Sequence, residues 1–570
     1  MRNSEIASLL NEIADYLEFE EDTFKVRAYR RAAQNIDTLS EDIEQVWKEN
    51  RLTEISGIGE GITKKIDEFL KNNKSLYLEK LKKDTPVDLE QLRKIEGLGP
   101  KRIMKIYREL GVKNTEELKN AALSKKIRTI EGLGPVVETN ILKAIEFSKK
   151  SGGRFSLFDA LLSAEEIKNS LKQLKEVDRV EIAGSVRRMK ETIGDIDILV
   201  TSKNSTRVMD FFTKMKIIAD VIAKGETKSS VKLKNGMQAD LRVIPDEIFG
   251  AGLMYFTGSQ QHNIVLRRIA IQKGMKLSEY GIFENKKNKR IAGATEPEMY
   301  EKLGLDYIEP EMRESNGEIE LSQNKKLPNL IGYNEIKGDL QMHTKWSDGS
   351  NSVEEMALMG KKLGYEYICI TDHTGNLAVA NALNEKRIIL QRREIDKINK
   401  KISGIKILHG AEVNIKSDGL LDMPNKVLKQ LDIVVASIHS GFKNPKEIIT
   451  KRLTKAMENK NVDIIAHPTG RLIGKREEYQ IDFEKVFEAA KKTGTLMEIN
   501  SQPDRLDLKD VYVKSAVEKG VKLVISTDAH TSEQLKLIRL GIGTARRGWA
   551  RKSDVVNTKS LKDMMSLLKH

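Results

Sequence analysis

Cysteine is almost missing from this chain: Cys369 is its sole representative in 570 residues. An intramolecular disulfide framework is thereby excluded, and stability has to come from apolar cores. No apolar run is long enough to span a bilayer, so no membrane partner is expected. The N-terminal MRNSEIASLLNEIADYLEFE is amphipathic and acidic, unlike a signal or transit peptide, which makes the cytoplasm the expected compartment. Aromatic residues are scarce, at 5%.

What is abundant is charge. Charged residues make up 32%, and 98 Lys and Arg against 84 Asp and Glu leave a net +14. That balance suits a polyanionic partner such as nucleic acid. The length predicts roughly three to five domains.

The first 150 residues read as all-helical, with Ile6, Leu9, Leu10, Ile13, Ala14 and Leu17 at helical spacing. One short motif then recurs, as Ile55-Ser-Gly-Ile-Gly59, Ile95-Glu-Gly-Leu-Gly99 and Ile130-Glu-Gly-Leu-Gly134. A glycine turn that opens a helix presents backbone N–H groups to a phosphate without reading sequence. Lys64 and Lys65 follow the first turn, and Lys101 and Arg102 the second. The DNA contacts expected of these turns are Gly57, Gly59, Gly97, Gly99, Lys101, Arg102, Gly132 and Gly134. Ser151-Gly152-Gly153 marks a domain boundary.

Helices mixed with β-branched strands follow. Val231–Ile244 predicts a hairpin turning at Asn235-Gly236, with a type I′ turn. Upstream lies Gly184-Ser-Val-Arg-Arg-Met-Lys-Glu-Thr-Ile-Gly-Asp195-Ile-Asp197. Alternate side chains of a strand share a face, so Asp195 and Asp197 point together while Ile196 and Ile198 face the core. Asp240 in the hairpin supplies a third acid and shares a face with Arg242. Three convergent carboxylates can hold two Mg²⁺ ions for nucleotidyl transfer. Ser185 and Arg188 would meet a triphosphate, one by its hydroxyl and the other by charge. The polar stretch from Glu314 to Lys326 lacks periodicity and predicts a linker.

From Ile336 onward, buried-type strands alternate with helical patterns, which predicts a parallel α/β sheet or barrel. Five of the eight histidines stand after these strands or in short polar motifs: His343, His373, His439, His467 and His530. Asp348, Glu412 and Asp528 accompany them. Ends of parallel strands converge on one mouth, and imidazoles mixed with carboxylates there suit a Mn²⁺ or Zn²⁺ cluster. His409 and His570 fall outside the pattern, and Asp372 reads as an outer group supporting the ligands.

The aspartate constellation resembles the family X DNA polymerases, the class that includes DNA polymerase beta, over residues 1 to about 315. The resemblance implies Asp195, Asp197 and Asp240 as metal ligands. It implies Arg154, Gly184, Ser185, Arg188 and Gly194 as contacts to an incoming deoxynucleoside triphosphate. Tyr255, Phe256 and Gly258 match the family's sugar-checking turn, and Asn263 and Arg267 match positions that touch the nascent base pair. Ordinary core packing is the alternative for Tyr255 and Phe256. Lys65 matches the Schiff-base lysine of the family's deoxyribose-phosphate lyase module, with Lys25 and Tyr29 in support and Lys25 also near DNA. Gly61 stands where that pocket often carries a lysine, and a phosphate contact is the alternative role for Lys65. Carbonyls of Thr53, Ile55 and Ile58 would hold one Na⁺ or K⁺, and those of Arg93, Ile95 and Leu98 another.

The histidine order resembles the polymerase and histidinol phosphatase (PHP) domain, a distorted (β/α)₇ barrel with up to three metal ions. Gln341 departs from a His-x-His pair found in many members. The expected architecture is therefore multidomain. It comprises a lyase-like helical region (1–83), a second helix-hairpin-helix region (84–150), an α+β nucleotidyltransferase palm (151–246), a small thumb (247–315), a linker (316–335) and the PHP barrel (336–570). The implied activity is short-gap filling in DNA repair, joined to a 3′–5′ exonuclease, 3′-phosphoesterase or abasic-site endonuclease, in a monomer acting on gapped or nicked DNA. The alternative is a DNA-binding scaffold whose sole enzyme is the phosphoesterase.

Overall fold

A computed structural model describes all residues except 1–2, 38–42, 73, 94, 96–97, 152–153, 285–288, 376–379 and 570. Gly97, the Gly152-Gly153 boundary and His570 lie outside the described residues. The chain divides into two compact units. One holds residues 1–154, 263–277 and 283–289; the other holds 155–262, 278–282 and 290–570.

Residues 3–151 are helical apart from their connections. Ile6, Leu10, Ile13 and Leu17 are buried on the first helix, Asn3–Phe19, so the apolar stripe expected from the sequence is the one that packs. The three glycine turns share one hydrogen bond. The N–H of Ile58 donates to the Ile55 carbonyl (3.0 Å), that of Leu98 to Ile95 (3.1 Å) and that of Leu133 to Ile130 (3.0 Å). Each turn feeds a helix: Glu60–Asn72, Pro100–Leu110 and Pro135–Ser151.

In the second unit, β1 (Phe155–Ser156) pairs with β3 (Thr192–Ile193). A five-stranded sheet has the order β2 (Val177–Ile182), β4 (Asp195–Ser202), β7 (Gln238–Ile244), β6 (Lys228–Leu233), β5 (Ile218–Lys224). Its core side includes Ile196, Ile198 and Val200, all fully buried, with Leu157, Ala160, Ala164 and Ile167 of helix Leu157–Leu171 in the same cluster. Three short strands, β8 (Met275–Ser278), β9 (Gly281–Glu284) and β10 (Lys289–Ala292), form a separate sheet.

The C-terminal region is a seven-stranded parallel sheet in sequence order. Its strands are β11 (Gly338–Asp339), β12 (Tyr367–Ile370), β13 (Lys406–Asn414), β14 (Ile433–Ser437), β15 (Ile464–Ile465), β16 (Leu496–Asn500) and β17 (Leu523–Ser526). Parallel bridging of Met342 to Ala529 brings the ends of the first and last strands together, the nearly closed barrel expected. Barrel residues Leu506, Leu537 and Leu540 belong to the same apolar cluster as the palm helix and sheet.

Two local expectations are corrected. The hairpin forms, but Leu233 bonds to the Met237 carbonyl across a three-residue loop, and of that loop only Gly236 has positive φ (+92°). A type I′ turn needs two such residues; here Asn235 instead accepts from the Met237 N–H through its side chain (3.1 Å). The stretch read as a linker carries a helix, Glu318–Gln323. Glu318 is buried against His262, at 2.7 Å from its Nδ1, so a polar residue there is part of the interior. No helix among the described residues is long and apolar enough to cross a membrane.

Candidate active sites

Asp197 is level with Asp240 in the parallel register of β4 and β7, and Asp195 precedes it by one pleat. Asp195, at the start of β4, is exposed, and Asp197 is half-buried. Gly184 sits in the left-handed region (φ +61°), and any Cβ there would run into the Asp197 carboxylate. The Gly-Ser turn therefore closes directly over the acid, and glycine is required for it. Burial, then the charges of Asp195 and Asp240, push the Asp197 carboxyl up to about 7. Burial would also raise Asp240, but hydrogen bonds from Gln238, Ser230 and Lys228 outweigh it and hold the carboxyl low. Lys228 Nζ lies 3.1 Å from Asp240 Oδ2. Three acids that repel one another this strongly fit divalent cations, which would relieve the repulsion.

Arg188 lies over the Thr257-Gly258 turn. Its Nη1 donates to the Thr257 carbonyl, its Nε donates to Glu314 (3.1 Å), and a Cβ on Gly258 would meet Nη1 at 3.2 Å. Tyr255 and Phe256 are half-buried on helix Phe249–Thr257 and meet edge to face at 5.1 Å, with Arg242 4.4 Å above the Phe256 ring. Ser185 is half-buried and Gly194 exposed. Arg154, Asn263 and Arg267 fall in the other compact unit, where Arg267 Nε donates to the Asn263 carbonyl at 3.4 Å.

Seven of the eight barrel ligands expected from the sequence fall into three overlapping groups: His343 with Asp348, His373 and His530; His373 with Glu412 and His439; and His343 with Glu412 and Asp528. The eighth, His467, stands in none of them and reaches the cluster through Glu412. Glu412 is the hub. Its Oε2 lies 3.2 Å from His343 and 3.5 Å from His373, and its Oε1 lies 3.2 Å from His439 and 3.1 Å from His467. Burial would raise this carboxyl, but the imidazoles hold it well below its ordinary range. His343 Nδ1 and His467 Nδ1 are buried without a hydrogen-bond partner. Orphaned buried nitrogens are costly unless a ligand satisfies them, so this donor set fits a multinuclear metal site. Asp372 accepts from Thr344 N (2.7 Å), Ser347 Oγ (2.5 Å) and Gln391 Nε2 (2.5 Å). It thus supports the loop bearing His343 and Asp348, as expected of an outer group. His409 bonds Gln391 (3.1 Å) and takes no part in these groups.

Comparison with known proteins follows the same division. Family models match helix-hairpin-helix domains at residues 1–75 and 89–146, the DNA polymerase beta palm at 160–273 and thumb at 252–314, and the PHP domain at 339–502. A DNA polymerase/3'-5' exonuclease PolX of Bacillus subtilis (strain 168) is 42% identical over 572 residues, covering 100% of both chains. The chain belongs to the family X DNA polymerases that carry a PHP domain. Probable phosphatases of Thermoanaerobacter sp. (strain X514) and of Caldanaerobacter subterraneus are 36% and 34% identical. They cover 35% and 34% of this chain, and 84% and 75% of their own lengths.

In this family X polymerase the hairpin glycines that begin the following helices stand clear of the protein. A Cβ built on Gly59, Gly99 or Gly134 meets nothing within 4 Å. Internal packing does not demand glycine there, whereas close approach of a ligand backbone would. Gly99, Lys101 and Arg102 line a groove of 610 Å³ with Arg93, Ile95 and Leu98. Gly57 and Gly132 take positive φ, +84° and +79°. The Ile55 and Ile95 carbonyls each accept the hydrogen bond that closes their turn; Ile58 and Leu98 are buried, and Thr53 is exposed.

Lys65 is half-buried, with its ammonium 4.4 Å above the Tyr77 ring, and Tyr77 stacks on Tyr29 at 6.5 Å. Lys25 is paired with Asp22 at 2.7 Å, so its charge is matched locally. At Gly61 a side chain would meet open space.

Two barrel residues escaped the sequence reading. Glu498, on β16, accepts from the His467 N–H (2.7 Å), and Asn500 bridges Glu498 (3.2 Å) and Asp528 (3.1 Å). Burial pushes the Glu498 carboxyl well above its ordinary range. An acid two residues before Asn500 at the end of a buried strand was the available signal. Gln341 Nε2 donates to Glu412 Oε2 (3.1 Å), so the departure from histidine still reaches the metal groups.

Proposed function

We propose that this polymerase fills short gaps during DNA repair and prepares 3′ ends for itself. Extension of a primer from deoxynucleoside triphosphates would occur at Asp195, Asp197 and Asp240. Hydrolysis at DNA 3′ ends, as exonuclease or phosphoesterase, would occur in the barrel. The observation that carries the reading is the presence of two separate acid constellations in one compact unit, one free of imidazole and one built on five histidines. The printed name of the Bacillus subtilis relative joins the same two activities.

Two Mg²⁺ ions at the palm would acidify the primer 3′-hydroxyl and neutralise the triphosphate, while up to three Mn²⁺ or Zn²⁺ ions in the barrel would activate water against a phosphoester. The protein's own groups bind and orient. Ser185 and Arg188 would hold phosphate oxygens, with Gly184 letting that turn lie against Asp197. Thr257 and Gly258 would crowd a ribose 2′-hydroxyl, with Tyr255 and Phe256 as the wall. Arg154, Gly194, Asn263 and Arg267 keep the nucleotide and base-pair roles that the family resemblance implies.

The hairpins would grip gapped or nicked DNA by its backbone through Gly57, Gly59, Gly97, Gly99, Gly132 and Gly134, with Lys25, Lys101 and Arg102 adding charge. Carbonyls of Thr53, Ile55 and Ile58, and of Arg93, Ile95 and Leu98, would each hold a Na⁺ or K⁺. Lys65 would form a Schiff base with a 5′-deoxyribose phosphate. The chain would act as a monomer in the cytoplasm. Labelled gapped DNA incubated with and without nucleotides should show extension in the first case and shortening in the second. Shortening alone in both would remove the polymerase half of the proposal.

A further inference from the structure

Arg188 is half-buried beside a residue contributed by the barrel. Arg547, last in helix Ile538–Arg547, donates from Nη1 to the Arg188 backbone carbonyl and to Glu314 Oε1, each at 2.9 Å. The same Glu314 oxygen accepts from Arg188 Nε at 3.1 Å, and Lys190 Nζ lies 3.9 Å from it. Asp510, first residue of helix Asp510–Glu518, accepts from Arg547 Nε (2.8 Å) and lies 2.6 Å from Nη2. Three cations thus face two carboxylates, a surplus of positive charge that an arriving anion would balance.

The backbone is held as well. Met189, directly after Arg188, is buried with φ +53°, a conformation that a side chain adopts only when its surroundings impose it. Gly543, one turn before Arg547, packs on it, and a Cβ there would press into the Met189 side chain. The helix therefore clamps the peptide that carries Arg188 from one side, while Glu314 fixes its guanidinium from the other.

We infer that Arg547 is a positioning residue of the polymerase site: the PHP barrel aims Arg188 at the triphosphate through Glu314 and the Arg188 carbonyl. This rests on the reading of Arg188 as a triphosphate contact. Binding of the nucleotide must draw Arg188 partly away from Glu314. Arg547 keeps that carboxylate satisfied when it does. Without Arg547, Glu314 holds Arg188 more tightly and the turn loosens.

The test is steady-state extension of gapped DNA by Arg547→Gln, Arg547→Lys, Glu314→Gln and Arg188→Ala proteins, with thermal melts to verify folding. Arg547→Gln should raise the KM for deoxynucleotide about tenfold, change kcat and the KM for DNA by less than about threefold, and be partly rescued in Arg547→Lys. The Arg547→Gln and Glu314→Gln effects should fall short of additive in the double variant, as expected of residues sharing one network. An unchanged nucleotide KM in folded Arg547→Gln, or full additivity, would overturn the inference. If Arg547→Gln does not fold, Arg547→Lys decides, a twofold or larger rise supporting the inference and no rise overturning it. If Arg188→Ala leaves the nucleotide KM unchanged, it is the reading of Arg188 that fails.

Discussion

Asp197 and Asp240 stand side by side on adjacent parallel strands, β4 and β7, in the same register. Each carboxylate therefore depends on the other for any cation they share. Asp240→Ala should reduce extension at least about a thousandfold, the scale expected when a ligand to catalytic metal is lost. Hydrolysis in the barrel should be unaffected, because its ligands lie on other strands. Primer extension and 3′ shortening, measured on one folded preparation, check this; loss of both would count against it.

Gly99 caps helix Pro100–Leu110 with ordinary extended backbone (φ −81°, ψ 166°), and a Cβ there meets open space. Gly99→Ala should cost no more than about 1 kcal/mol of stability, since Ala is the poorer N-cap. It should weaken binding to gapped DNA several-fold if a phosphate approaches that backbone. Fluorescence anisotropy at fixed salt reads the binding, and equal affinity would remove Gly99 from the DNA surface.

If Lys65 is a lyase nucleophile, borohydride should trap a covalent complex with DNA carrying an incised abasic site, and Lys65→Ala should lack it. Its position over Tyr77 keeps the ammonium near the Tyr29–Tyr77 stack. Undiminished trapping in Lys65→Ala would assign the chemistry to another amine.

Glu296 joins Arg187 (2.6 Å) and the buried Arg313 (2.6 Å). Burial acts to raise its carboxyl, but Arg313 and Arg187 outweigh burial and hold it at about 2. A carboxyl depressed on folding stabilises the protein above its unfolded pKa and loses that contribution as pH falls through the folded one. The stabilisation should therefore be complete above the ordinary glutamate value of 4.5 and fade toward pH 2. Glu296→Gln should cost about 3–5 kcal/mol at neutral pH, since it strands buried guanidinium charge. The difference from wild type should shrink in acid. Denaturant melts at several pH values measure it, and a pH-independent difference would contradict the assignment.

Much of both sites was legible because local rules suffice for them. Asp195 and Asp197 alternate with buried isoleucines, so the strand period alone puts them on one face. The histidines follow parallel strands, whose ends must meet. What stayed hidden depends on partners far along the chain. Glu318 is polar in a polar stretch, and its buried partner His262 lies 56 positions away. Arg547 and Arg188 are 359 positions apart, and no periodicity links them. Glu498 is a single acid in an otherwise apolar strand, and its contacts to His467 and Asn500 appear only in the fold.

The separation of two metal-dependent activities is tested most directly on labelled gapped DNA after strict removal of bound metal, with Mg²⁺ or Mn²⁺ added back. Barrel ligands rich in imidazole should favour Mn²⁺, whereas the all-carboxylate palm should work with Mg²⁺. Wild type should extend in Mg²⁺ with nucleotides and shorten 3′ ends in Mn²⁺ without them. His467→Ala combined with Asp528→Ala should abolish shortening and keep extension. Shortening that Mg²⁺ supports equally well, or that survives the double substitution, would contradict a distinct hydrolytic centre in the barrel.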